Sequence, residues 1–113
     1  MHELSIAQAI VDVVEEEARN AGATRVVSIT LSLGELSGVV EEQLRFCFPM
    51  VVKDTSLESA ELVIERVAGE GFCERCQAAF PLPSLFTTCP ACGTHTRTIR
   101  AGQELRVASL EVE

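Results

Sequence analysis

Apolar residues recur every three or four positions along the first twenty residues, and most charged residues of this segment fall between them. The recurring apolar positions are Leu4, Ala7, Val11, Val14 and Ala18, and Ile6, Ile10 and Val13 widen the stripe. This spacing predicts an amphipathic helix with one face buried in a core. Gly22 follows the last apolar position and suits the left-handed conformation that commonly ends a helix.

The period of the pattern changes to two between residues 25 and 33, which predicts a half-buried strand. One face carries Val27, Ile29, Leu31 and Leu33, and the other carries Ser28, Thr30 and Ser32. Two further strands are predicted at residues 61–67 and 104–112. The chain therefore contains three strands of a sheet that the first helix can cover.

A second helix is predicted after the loop at residues 34–38, because Leu44, Phe48 and either Val51 or Val52 share one helical face. Pro49 lies inside this stretch, where it has no N–H to donate and its ring clashes with the preceding turn. We therefore expect a kink or an early end at Pro49, and the length of this helix stays open.

The segment of residues 69–100 interrupts this order, because it has little periodicity and holds four of the five cysteines and three of the four prolines. The fold class is therefore α+β, with two helices packed on a three-stranded sheet and an inserted subdomain. We expect one domain of residues 1–68 plus 101–113 and a subdomain of residues 69–100.

Charge and composition exclude several classes of function. The 113 residues carry a net charge of −8, which repels phosphate backbones and anionic membranes, so neither nucleic acid nor a membrane is an expected partner. No apolar run approaches the roughly 20 residues that span a bilayer, and the first ten residues lack the features of a signal peptide. We therefore expect a cytoplasmic protein with reduced cysteines that are available as ligands.

Two CxxC pairs separated by twelve residues carry the clearest chemistry of the chain. Cys73 with Cys76, and Cys89 with Cys92, can each supply two thiolates from one tight turn and together close a tetrahedron about a structural Zn²⁺. The insert is thus predicted to be a zinc ribbon with rubredoxin-like knuckles, in which Gly93 takes a positive φ. A rubredoxin-like iron site remains open, whereas a thioredoxin-type dithiol lacks its βαβ frame. We expect Phe72, Phe80 and Phe86 to cover the thiolates.

The N-terminus offers a second set of metal ligands. The α-amine of Met1, the backbone nitrogen and imidazole of His2, and the amide or carboxylate of Glu3 can form fused chelate rings around Ni(II) or Cu(II). The first N–H groups of a helix have no intrahelical acceptor and are free for this purpose, although the positive end of the helix opposes a cation. The alternative is a solvated His2 side chain at a frayed terminus.

Other residues have simpler interpretations. His95 can donate an imidazole to the N-terminal metal, but an exposed loop histidine is the favoured interpretation. Glu41 and Glu42 can lend a carboxylate to the metal, but acids in the first turn that complement the helix dipole are the favoured interpretation, and Cys47 suits a core. The sequence contains no recognisable nucleophile–base pair or Gly-rich phosphate loop, so we expect a protein that is not an enzyme.

The chain resembles the HypA/HybF hydrogenase-maturation factors over essentially its whole length. The resemblance rests on the segments Met1–Ser5, Gly34–Gly38 and Leu110–Glu113 and on the two CxxC pairs. It implies a nickel metallochaperone with Ni²⁺ at Met1, His2 and Glu3 and a structural zinc. It also implies delivery with a HypB-type GTPase to the [NiFe]-hydrogenase large-subunit precursor, and some relatives serve urease through its accessory proteins. A zinc-ribbon adaptor and a rubredoxin-like electron carrier remain as alternatives.

Overall fold

The computed structural model describes the backbone of residues 2–113 and the side chains of residues 3–113, and it contains two helices and two small sheets. In chain order the elements are α1 (His2–Asn20), β1 (Val26–Gly34), α2 (Glu41–Val52), β2 (Glu61–Val67), β3 (Glu70–Cys73), β4 (Ala78–Pro81), β5 (Thr98–Ala101) and β6 (Leu105–Val112). The sheets have the strand orders β2-β1-β6 and β4-β3-β5. The α+β class predicted from the sequence is confirmed.

The chain divides into two compact units. The first unit comprises Met1–Leu31, Val39–Ile64 and Val107–Glu113, and the second comprises Ser32–Gly38 and Glu65–Arg106. The first unit holds twelve Asp and Glu against four Lys and Arg, whereas the second holds five of each. The predicted division into a domain of residues 1–68 plus 101–113 and a subdomain of residues 69–100 remains a prediction. Among the described residues, neither helix is long and apolar enough to cross a membrane.

Helix α1 buries one face in the core of the first unit. That face consists of Ala7, Ile10, Val11, Val14 and Ala18. Leu4, which was predicted to share it, is 48% exposed, whereas Ile10, at the side of the predicted stripe, is buried. Gly22 has φ +71°, and the N–H of Ala23 donates to the carbonyl of Ala18 at 2.9 Å. The predicted left-handed end of this helix is therefore confirmed.

Helix α2 continues through Pro49, so the expectation of an early end there is wrong. Phe48 and Val52 lie on either side of Pro49 and are both nearly fully buried, and each contributes roughly 1.5–3 kcal/mol of apolar burial. Pro49 deprives only the carbonyl of Arg45 of its helical donor. Arg45 and Pro49 are exposed, so water can reach that side of the helix. Packing therefore outweighs the local cost of the proline.

The second unit contains a small antiparallel sheet that the sequence pattern did not predict. Its central strand β3 pairs with β4 in the register Gly71↔Phe80 and Cys73↔Ala78, and with β5 in the register Gly71↔Ile99. Each of these strands has only four residues, which is too short for an alternating pattern to stand out. The sheet places Cys73 at the end of its central strand.

Three glycines of the second unit, Gly34, Gly69 and Gly102, approach one another so closely that a side chain would not fit. A Cβ atom on Gly34 would lie 2.0 Å from the carbonyl oxygen of Gly102, and one on Gly102 would lie 2.6 Å from the Cα atom of Gly69. The carboxylate of Glu35 accepts the N–H of Gly69 at 2.8 Å, and that of Glu104 accepts the N–H of Gly102 at 2.7 Å. This glycine cluster therefore needs Gly34 at the end of β1, and Glu35 directly after it.

Candidate metal centre

The four cysteines of the CxxC pairs meet in the second unit, and their Sγ atoms all lie within 4.8 Å of one another. Cys73 ends β3, Cys76 lies in the turn before β4, and Cys89 and Cys92 lie in the loop before β5. The Sγ atoms of Cys73 and Cys92 are 3.7 Å apart, and those of Cys76 and Cys89 are 3.9 Å apart. Both separations are far longer than the roughly 2.05 Å of a disulfide bond, so the cluster consists of free cysteines.

These separations match the edges of a metal-centred tetrahedron. A Zn–S bond of about 2.3 Å places two sulfurs of a regular tetrahedron about 3.8 Å apart, between the 3.7 and 3.9 Å observed in the cluster. Four thiolates fill all four positions and leave none for a substrate or water. The donor set therefore fits a closed structural metal site.

Backbone turns shape each half of the cluster. In the first turn the N–H of Cys76 donates to Cys73 Sγ at 3.3 Å, and Gln77 takes a positive φ of 53°. In the second turn the N–H of Gly93 donates to the carbonyl of Cys89 at 2.7 Å, and Gly93 has φ +74°. The predicted positive φ of Gly93 is confirmed. Gln77 also has a positive φ, which the sequence did not indicate because this position is not a glycine.

The electrostatics of the cluster favour a bound cation. The hydrogen bond with the Cys92 thiol raises the pKa of the Cys76 thiol to about 12, with burial acting in the same direction. The backbone N–H groups of Cys92 and Ala91 lower the pKa of the Cys89 thiol to about 7. The neighbouring thiols therefore oppose ionisation of Cys76, and a divalent cation bound between the sulfurs would favour its thiolate.

A small apolar layer surrounds the buried thiols. It contains Phe80 and Leu82 with the partly buried Leu36 and Ile99, while Cys92 is the most exposed of the four ligands. The layer is too small to hold the second unit together without further support.

The three phenylalanines expected to cover the thiolates have different surroundings. Phe80 is buried in the cluster's apolar layer, and the ring of Phe72 lies 3.8 Å from the guanidinium carbon of Arg100. Phe86 is 87% exposed, so the prediction for this residue is wrong. The residue before it, Leu85, accepts a hydrogen bond from Arg97 at its carbonyl at 2.7 Å.

The predicted N-terminal metal site is described only in part. Met1 and the side chain of His2 lie outside the described residues, and α1 begins at His2. Glu3 is only 7% exposed, and its Oε2 accepts the N–H of Val40 at 3.2 Å. This hydrogen bond lowers the pKa of the Glu3 carboxyl below its ordinary value. Glu3 is thus ionised and anchored beside the residue that precedes α2.

The remaining candidates occupy ordinary positions. His95 is exposed in the loop before β5, and its carbonyl accepts from Arg97 at 2.9 Å. Glu41 accepts from Arg45 across one turn of α2 at 3.2 Å. Cys47 packs half-buried against the core of the first unit. The sequence did not indicate the part played by Val40. Its backbone N–H donates to the Glu3 carboxylate, whereas its apolar side chain carries no functional group.

Comparison with known proteins identifies relatives along the whole chain. Residues 1–112 match the family model described as hydrogenase/urease nickel incorporation, metallochaperone, hypA. The chain is 49% identical to the hydrogenase maturation factor HypA of Geobacter metallireducens and 45% identical to that of Chlorobaculum parvum. Both comparisons cover 100% of this chain and 100% of the relative.

Solved structures agree with the fold. The solution structure of the Ni metallochaperone HypA from Helicobacter pylori superposes with a TM-score of 0.71 at 24% identity, covering 99% of this chain and 97% of that one. A second solution structure of a HypA protein gives a TM-score of 0.72 at 25% identity, covering 100% and 97%. With the family match over residues 1–112 and the four-sulfur cluster in place, the chain belongs to the HypA family of nickel metallochaperones for hydrogenase maturation.

Proposed function

We propose that this chain binds Ni(II) at its N-terminus and delivers it for the maturation of [NiFe]-hydrogenase. The ligands are the α-amine of Met1, the backbone nitrogen and imidazole of His2, and the amide nitrogen or carboxylate of Glu3. Membership of the nickel metallochaperone family, over a match that includes this segment, carries the proposal. Nitrogen-rich ligands of this kind suit the tetragonal coordination of Ni(II).

The start of α1 is suited to this role. The first amides of a helix have no intrahelical acceptor, and α1 begins at His2. A terminal amine and the amide that follows it form a five-membered chelate ring, which requires that the α-amine of Met1 is free. The ligand set does not include His95, which lies on an exposed loop of the second unit.

The four-cysteine cluster has a separate role in this proposal. Cys73, Cys76, Cys89 and Cys92 hold a structural Zn²⁺ that supports the fold of the second unit. The closed donor set provides no position for a substrate, in keeping with a chaperone that is not an enzyme. Residues 1–68 plus 101–113 form the nickel-binding domain, and residues 69–100 form the zinc subdomain.

Transfer of the metal requires other proteins. We propose that a HypB-type GTPase supplies the nucleotide hydrolysis, that the hydrogenase large-subunit precursor receives the nickel, and that urease accessory proteins are a further destination. The chain acts in the cytoplasm, where the thiols of its cluster remain reduced. The net charge of −8 argues against nucleic acid and anionic membranes as partners.

Nickel titration of untagged protein with an authentic Met1 terminus tests the proposal. We expect stoichiometric binding, and we expect His2→Ala or acetylation of the Met1 α-amine to weaken it at least about 100-fold, because each change removes a chelating nitrogen. His95→Ala is the matched control and should bind as the natural protein does. Absence of stoichiometric nickel uptake by zinc-loaded natural protein would overturn the proposed carrier role and leave a zinc-ribbon adaptor.

The colour of the purified protein separates zinc from iron at the four-sulfur cluster. A zinc tetrathiolate is colourless because Zn²⁺ has a filled d shell, whereas a ferric tetrathiolate is red. We expect colourless protein with one zinc per chain by elemental analysis. A red protein with stoichiometric iron would favour the rubredoxin-like electron carrier instead.

A further inference from the structure

An open groove lies between the two helices of the first unit, and it has a volume of about 500 Å³. Five residues of α1 and one of α2 line it, namely Leu4, Ser5, Gln8, Ala9, Asp12 and Val51. Positions 4 and 12 are separated by about 12 Å along a helix axis, or roughly two turns. The groove is therefore long enough to hold two turns of a partner helix.

Apolar side chains that water still reaches lie along this groove and beside it. Leu4 is 48% exposed, and Val51 is half-buried. On α2, Phe46 is 76% and Met50 is 57% exposed, and their spacing of four residues places them on one face. Around this helix, Val51 lies between that exposed pair and the buried Phe48. The apolar surface therefore continues from the groove onto the exposed face of α2.

The polar wall of the groove is acidic. Asp12 lines the groove, and its carboxylate accepts the side-chain N–H of Gln8 at 2.9 Å. This bond holds the carboxylate on the wall, and a carboxylate can accept further hydrogen bonds. Glu16 lies one turn beyond Asp12 on α1 and is exposed. Because the first unit holds twelve Asp and Glu against four Lys and Arg, a cationic group is the favoured neighbour of this wall.

The lining limits the form that an occupant can take. Along most of their length α1 and α2 pair their backbone groups internally, so the groove offers side chains rather than a strand edge with which an extended peptide could pair. An occupant must therefore satisfy its own backbone groups, as an α-helix does.

Charge decides among the possible partners. Two copies of this chain that met at the groove would bring two acidic surfaces together, which costs free energy. Phosphate backbones and anionic membranes are repelled for the same reason. A helix with an apolar stripe and with lysine or arginine beside that stripe matches both the apolar lining and the acidic wall.

We propose that the groove between α1 and α2 binds a basic amphipathic helix of a partner protein. Apolar side chains of that helix enter the groove beside Leu4 and Val51, and its basic side chains approach Asp12. Leu4 follows directly after the residues of the proposed nickel site, so the docked helix lies beside the N-terminus. The contact itself involves no metal and does not depend on nickel binding.

Titration of zinc-loaded, nickel-free protein with a defined peptide tests the inference by amide NMR. The peptide has about 18 residues, with leucine every three or four positions and lysine and glutamine elsewhere, and forms a helix about 27 Å long. We expect saturable shifts that are largest at residues 4–12 and 46–51. A control peptide in which glutamate replaces each lysine should not bind. Equal binding of the two peptides, shifts largest elsewhere, or no saturable shifts would overturn the inference.

Two matched pairs of variants locate the binding surface. Leu4→Ser should weaken binding of the lysine peptide at least about fivefold, because it removes apolar surface from the groove. Val13→Ser should stay within about twofold of the natural protein, because Val13 is similarly exposed (51%) but does not line the groove. Asp12→Lys and Glu17→Lys change the net charge equally, yet we expect a loss of at least about tenfold only for Asp12→Lys. Equal losses within either pair would overturn the inference.

Folding and self-association are checked in the same samples. Zinc content and the helical circular dichroism signal show whether each variant is folded, and the exposed positions Asp12 and Glu17 keep the test available if Leu4→Ser is not. A stable dimer in sedimentation that Leu4→Ser dissociates would overturn the inference, because a second copy would then occupy the groove. Failure of the natural protein to bind nickel would refute only the proposed function, since these titrations contain no nickel.

Discussion

Removal of the metal from the four-cysteine cluster is expected to unfold the second unit while α1 and α2 remain folded. Cys73 and Cys89 are themselves two of the four buried residues in the core of this unit, beside Phe80 and Leu82. Structural zinc contributes roughly 10–16 kcal/mol to the folding of comparable small metal-bound modules, more than so small a core can replace. Cys73→Ser or chelation of the metal should therefore expose the backbone amides of β3, β4 and β5 to rapid hydrogen exchange.

Hydrogen exchange measured by mass spectrometry on peptides from residues 70–101 checks this expectation. Peptides from α1 and α2 should stay protected, because the first unit has its own core of buried residues. Cys47→Ser is the matched control, since its thiol lies outside the cluster and the variant should retain zinc. Protected β3–β5 amides in metal-free protein would show that the zinc site is dispensable for the fold. The same experiment tests the proposed boundaries of the zinc subdomain.

Gly34→Ala is expected to lower the free energy of unfolding by about 3 kcal/mol or more, at the upper end of what overpacking usually costs. The new methyl group would lie 2.0 Å from the carbonyl oxygen of Gly102 and 2.7 Å from the backbone nitrogen of Glu104. Both of these atoms belong to the backbone of the segment between β5 and β6. The same segment accepts a hydrogen bond from Gly34, because the N–H of Gly34 donates to the carbonyl of Glu104 at 2.7 Å. Relief of the clash would therefore break that hydrogen bond.

Urea unfolding of the Gly34→Ala variant, compared with that of the Gly38→Ala variant, measures this effect. Gly38 has φ +80°, and no atom lies within 4 Å of the position that a methyl group would take there, so alanine costs only the backbone strain of about 1–2 kcal/mol. We expect the Gly34 variant to be clearly the less stable of the two. Equal stability would mean that the glycine cluster yields to a side chain without loss.

Local patterns in the sequence predicted the elements that depend on local chemistry. The stripe through Val11 and Val14, the glycine at position 22 and the limits of β2 all follow from spacing and backbone freedom, and the structure confirms each. The two CxxC pairs likewise predicted which sulfurs meet, because a tetrathiolate site requires two close pairs.

The features that were missed depend on contacts between distant parts of the chain. The hydrogen bond from Val40 to Glu3 spans 37 positions, and neither residue's neighbours indicate it. The strands β3, β4 and β5 are held by pairing and by the metal ligands, so their sequences show no alternation. Pro49 was judged by its local cost, whereas burial of Phe48 and Val52 decides the length of α2. Phe86 was judged by its apolarity, although the surrounding loop turns it to solvent.

The unequal distribution of charge between the two units has a consequence for encounters with other proteins. All of the excess negative charge belongs to the first unit, with twelve acidic against four basic residues, and the second unit has five of each. A positively charged protein in solution is therefore drawn toward the unit that bears the N-terminus before any specific contact forms. The rate of such encounters should fall as ionic strength rises and the Debye length shortens.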